Sequence, residues 1–143
     1  MSLDINLILS PAVVRIANDA MLKGLVGIPI QVWKGPKRPD EKVNQKGFTV
    51  HILTSPQDPD SKVINGTLLI NFYCPNYEKD RNANVELMGP VAARICELFD
   101  DKPFAITGHR NFNLVVQEPL GPLWDSTNPD ESFMSIRIKF NIQ

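Results

Sequence analysis

The closing stretch Ser132–Gln143, SFMSIRIKFNIQ, alternates without interruption: Met134, Ile136, Ile138, Phe140 and Ile142 fall on one side, and Phe133, Ser135, Arg137, Lys139 and Asn141 on the other. A period of two over this length predicts a β-strand with one apolar and one mostly polar face. Working backwards, GTLLINFYC (Gly66–Cys74) sets Leu68, Ile70 and Phe72 against Leu69, Asn71 and Tyr73. Apolar character on both sides predicts a strand central in its sheet. GFTVHIL (Gly47–Leu53) alternates Phe48, Val50 and Ile52 with Thr49, His51 and Leu53, and FAITGHRNFNLVVQE supplies Phe112, Leu114 and Val116 on a further strand. GIPIQVWK (Gly27–Lys34) reads as a strand whose Pro29 suits an end or an edge.

Two segments follow the helical period instead. SPAVVRIANDAMLKG predicts a helix over about residues 10–24, with Ser10 as N-cap, Pro11 in the first turn, and Val13, Ile16, Ala17, Ala20 and Met21 on one face. From Asn82 to Phe99 a stripe of Val85, Met88, Ala92, Ile95 and Phe99 is widened by Leu87, Val91 and Leu98. Pro90 lies inside it, where the missing N–H predicts a kinked helix or a start near Gly89. The order is helix, three strands, helix, two strands. Without a βαβ rhythm it predicts an α+β fold: a mostly antiparallel sheet of four to five strands, covered on one face by the main helix, plus an N-terminal helix. A length of 143 residues suits one domain, with the helix at 10–24 preceding a sheet-and-helix body over 28–143.

Composition narrows the function classes. The hydrophobic share of 43% and charged share of 22% are those of a folded globular chain, and the net charge of −1 provides no global attraction for nucleic acid. No stretch has the basic start of a signal peptide or approaches the roughly 18 apolar residues of a membrane span, so a cytoplasmic protein is expected. Cys74 and Cys96, far from any CxxC spacing, read as buried thiols.

Catalytic patterns are sparse. His51 and His109 have no second ligand at metal-site spacing, and neither GxSxG nor GxxxxGK[ST] occurs; no metal or cofactor is expected. The carboxylate pairs Asp40/Glu41, Asp58/Asp60, Asp100/Asp101 and Asp130/Glu131 fall in loops or at a helix end, where solvated charge explains them. Two alternatives stay open: a small enzyme using His51 or His109 with a loop carboxylate, and a nucleic-acid-binding module using Tyr73, Arg137 and Lys139.

The long connections carry more information. Gly35–Lys46 holds Lys37, Arg38, Lys42 and Lys46 against Asp40 and Glu41; Glu118–Glu131 holds Glu118, Asp125, Asp130 and Glu131 with no cation. Irregular connections of this length are usually functional or disordered, and the acidic one also carries Leu120, Leu123 and Trp124. Either Trp124 folds onto its own core or it serves a partner's pocket.

This succession, with KVINGTLLINFYCPN as a broad apolar strand, FNLVVQEP, an irregular loop and SFMSIRIKFNIQ as the closing strand, resembles the tail-terminator and tail-completion proteins of long-tailed bacteriophages and prophages. The resemblance implies a non-enzymatic, homo-oligomeric ring, usually hexameric, that caps the tail tube and joins it to head-completion proteins. It implies residence in the bacterial host's cytoplasm during assembly and then in the virion tail, with nucleic acid only as passing cargo. A ring needs two different complementary surfaces on each subunit. Lys37, Arg38, Lys42 and Lys46 are the expected basic half, and Trp124, Asp125, Asp130 and Glu131 the acidic half. Arg137, Lys139 and Asn141 would then face a ring lumen or a neighbouring subunit.

Overall fold

A computed structural model describes residues 4–54 and 63–143; the Asp58/Asp60 pair therefore lies outside the described residues. The elements in order are α1 (Asn6–Ala17), α2 (Ala20–Val26), β1 (Val32–Lys34), a 3-10 turn (Asp40–Lys42), β2 (Gly47–Thr54), β3 (Ile64–Pro75), α3 (Val85–Phe99), β4 (Phe112–Val116), β5 (Leu120–Asp125) and β6 (Asn128–Ile142). The α+β class is as expected. The sheet has six strands in the order β1-β2-β3-β6-β4, with β5 also paired to β6. Every pairing is antiparallel except β1 with β2.

Alternation fixes which face the helices cover. Phe48, Val50, Leu68, Ile70, Phe72, Leu114, Ile136, Ile138 and Phe140 point to one side and are buried against Ile8, Ala12 and Ile16 of α1, Leu22 of α2, and Met88, Val91, Ile95 and Phe99 of α3. Fully burying such a side chain contributes about 1.5–3 kcal/mol, so this layer is the main stabilising term. Strand β6 runs the length of the sheet. It pairs with β3 along one side, while its other side pairs first with β5 and then with β4.

The N-terminal segment departs from the expected single helix. Its first helix starts four residues before Ser10, whose hydroxyl donates to Asn6 Oδ1 within the helix (3.1 Å) and accepts from Lys34 Nζ (2.7 Å). Pro11 is accommodated inside. The chain then breaks at Asn18, and Asp19 caps a new helix by accepting from the Leu22 N–H (3.0 Å). The break resets the helical phase, which is why Leu22 is buried while Met21 is exposed.

Two ion-bearing contacts tie these helices to α3. Asp19 also receives Arg94 Nε and Nη2 at 3.0 and 2.7 Å, and this pairing holds its carboxyl below the usual carboxylate range. Arg15 donates to the carbonyls of Leu98 in the last turn of α3 (3.0 Å) and of Lys102 just past its end (2.5 Å), with its guanidinium over the Phe99 and Phe104 rings. These carbonyls are left without helical partners, so a cation there is favourable.

Helix α3 passes through Pro90 as one element and is capped by Asn84, which accepts from the Leu87 N–H; Val85, in its first turn, is exposed. Strand β1 is shorter than expected, its pairing beginning only at Val32, beyond a cis Ile28–Pro29 bond. Both thiols are free, Cys74 buried and Cys96 half-buried, and burial pushes each above its ordinary pKa.

The largest correction concerns residues 118–131. The segment expected to be an irregular acidic loop forms β5 and the start of β6, an antiparallel hairpin closed by Ser126 and Thr127. Asp125 Oδ1 accepts from the Thr127 N–H (2.9 Å), an Asx turn that fixes the reversal. Pro119 and Pro122 obscured it, since prolines are tolerated in edge strands and at irregularities, and the β5–β6 register shifts on both sides of Leu123.

Candidate interface: an acidic arm, a basic segment and an open sheet face

The sheet face away from the helices carries the odd-numbered residues of β2, β3 and β6. Ladder register sorts them into cross-strand rows: Gly47, Tyr73, Phe133 and Leu123; then Trp33, Thr49, Asn71, Ser135 and Leu120; then His51, Leu69 and Arg137; then Leu53, Thr67, Lys139 and Val115; and last Asn65, Asn141 and Asn113.

The basic and acidic segments meet at the Tyr73–Phe133 end of this face, and they do so within one chain. Arg38 lies 3.8 Å over the Tyr73 ring and forms a two-pronged ion pair with Glu131, with Nη1 to Oε2 at 3.1 Å and Nη2 to Oε1 as the second contact. The Asn44 N–H, on a backbone with φ of 66°, also donates to Glu131 Oε2 (2.9 Å). Both charged side chains are only 7% exposed. Arg38 and Glu131, expected at a subunit interface, thus engage each other within their own chain. Both line the cleft that Tyr73 and Phe133 also line, and removing either charge from water demands the other.

The remaining residues divide. Lys37, Trp124 and Asp125 line one cleft of about 670 Å³ floored by Tyr73 and Phe133. Asp130 is 3.5 Å from Arg81 with both side chains exposed, a contact of little energetic weight. Lys46 is exposed and Lys42 half-buried, and neither joins an ion pair among the described residues. Trp124 does not fold onto its own core. It is 66% exposed and separates the first cleft from a second one lined by Asn76, Arg81, Pro122 and Ser132.

Farther along the open face, Arg137 and Lys139 are exposed and free of ion pairs among the described residues. Asn141 donates to Asn65 Oδ1 (2.9 Å), and both line a cleft of about 350 Å³ with Asn113, Val115 and Lys139. Leu53 and Val115 are exposed apolar residues in the Lys139 row. Sequence reasoning placed His51 and Asn71 on this polar side but missed their common condition: Thr49 Oγ1, His51 Nδ1 and Asn71 Oδ1 are buried without a hydrogen-bond partner. Leaving such an atom unsatisfied costs about 1–3 kcal/mol. Only cross-strand register brings the three together. Burial also holds His51 below its ordinary pKa, toward the neutral imidazole.

The arrangement does not assemble either alternative chemistry. Neither His51 nor His109 pairs with a carboxylate among the described residues, and neither lines the clefts above. Tyr73 is stacked under Arg38 and stands two rows from Arg137, so the proposed base-stacking trio is separated. No cluster of metal-ligating side chains occurs among the described residues, and no helix among them is long and apolar enough to cross a membrane.

No protein-family model matches the chain, and no curated protein matches it. Among solved structures, it is similar to a chain of the virion of a native gene transfer agent particle, at 14% identity and a TM-score of 0.62, covering 92% of this chain and 90% of that one. A second solved chain is 12% identical with a TM-score of 0.64, covering 99% of this chain and 97% of that one. At these identities the likeness establishes a shared fold across nearly the whole chain.

Proposed function

We propose that this chain is a non-enzymatic structural subunit of a bacteriophage or prophage tail or neck, assembling into a ring that ends the tail tube and joins it to the head. The observation that carries this reading is the end-to-end likeness to a chain of a gene transfer agent virion. The physical features agree with it. An arm bearing exposed Leu120, Leu123 and Trp124 stands beside a sheet face with exposed Leu53, Val115, Arg137 and Lys139. Surfaces of this kind suit an assembled state better than a free subunit. Other copies of the chain, tail-tube subunits and head-completion proteins are the partners in this reading. Assembly would take place in the host cytoplasm before the subunit enters the virion tail.

The test is light scattering during size-exclusion chromatography over a wide concentration range, with electron micrographs of the protein alone and mixed with tube subunits. Rings, or density capping tube ends, are the expected result. A strict monomer that leaves tubes growing without limit would refute the proposal.

A further inference from the structure

The ring reading requires two complementary surfaces, and the Arg38–Glu131 pair spends one cation of the basic segment and one carboxylate of the acidic segment within the chain. Lys37 and Asp125 likewise share a cleft of their own chain. Cations open to the acidic arm of another copy also stand outside the basic segment. Arg137 and Lys139 stand on the open face without ion pairs among the described residues, about 7 Å apart along one side of β6. The rows from Thr49 to Asn141 on β2, β3, β4 and β6 contain no carboxylate.

The two surfaces match in kind. On the arm, Leu120, Leu123 and Trp124 are 42%, 38% and 66% exposed beside the Asp125 carboxylate. On the face, Val115 is 59% exposed beside Lys139, and Leu53, 55% exposed, stands at the other end of the same row beyond Thr67. We propose that the β5–β6 hairpin of one subunit docks on the open sheet face of the next, Trp124 packing on Val115 and Asp125 meeting Arg137 and Lys139. The arm stands at the Tyr73–Phe133 end of the face and Lys139 and Val115 lie rows away from it, so the contact joins two different patches of the chain, head-to-tail, and repeats around a closed ring. This docking rests on the ring reading.

Charge reversal tests it in the full-length protein. R137E/K139E and D125K should each remain folded by circular dichroism yet elute as smaller species, with at least a tenfold loss of self-affinity. An equimolar mixture should regain assembly, because each reversed arm then finds a reversed face. As a readout that does not depend on charge, a photo-crosslinking amino acid at position 124 should capture another copy at residues 51–53, 113–115 or 137–139. Wild-type rings with unchanged assembly of both variants, or crosslinks mapping to other surfaces, would overturn the docking and leave the ring reading standing. A wild-type chain that stays monomeric, with and without tube subunits, would overturn both.

Discussion

Arg38 and Glu131 are 93 positions apart in the chain, yet they close on each other as a buried ion pair beneath the acidic arm, with Arg38 stacked on Tyr73. Removing one partner leaves an uncompensated charge out of water. Arg38→Ala is expected to cost about 3–5 kcal/mol in urea unfolding, and Arg38→Leu with Glu131→Leu less than Arg38→Ala alone. A double variant worse than the single would show that the pair contributes net stability.

Asp19 combines two roles that a conservative change separates. Asp19→Asn keeps a good N-cap for α2 but removes the charge that Arg94 engages. Because pairing lowers the Asp19 pKa in the folded state, its contribution is present above the unfolded carboxyl's pKa of about 3.9 and is lost as pH falls through the folded value. The stability gap between wild type and Asp19→Asn should therefore be full at neutral pH and close in acid. A gap independent of pH would assign the effect to packing.

Arg15 holds the connection after α3 in place. Arg15→Met retains much of the apolar stem but loses the donors to Leu98 and Lys102, and should cost about 1.5–3 kcal/mol. Hydrogen exchange should locate the effect: the amides of Asp100 and Lys102, bonded to Cys96 and Phe99, should exchange faster than those in β3.

Gly66 lies opposite Phe140 in the β3–β6 ladder, and a β-carbon there would run into the Phe140 ring and stand 3.0 Å from the Leu53 carbonyl oxygen. Gly66→Ala should lose about 1–3 kcal/mol through overpacking. Adding Phe140→Leu should recover part of that loss, measured as a coupling energy in a double-mutant cycle.

The sheet was readable because one buried face imposes alternation, and the Ser132–Gln143 pattern assigned β6 side chains to the two faces found in the fold. The α3 stripe was readable for the same reason, at the helical period. The arm was not, because Pro119, Pro122 and Pro129 signal a break while edge pairing tolerates them. Neither was the helix break at Asn18, where Asp19 is a capping residue hidden inside a continuous apolar pattern. The partnership of Arg38 with Glu131 is a tertiary fact: opposite charges on two segments identify them as candidates, but only the fold decides whether they meet within one chain.

Strand β6 begins in the arm, crosses the sheet against β3, and ends beside β4. A tug on the hairpin tip is thus loaded in shear, shared by many ladder bonds at once instead of being peeled open one at a time. The arm is the free end of a beam clamped between β3 and β4, so strain applied there is carried along β6 toward Ile142.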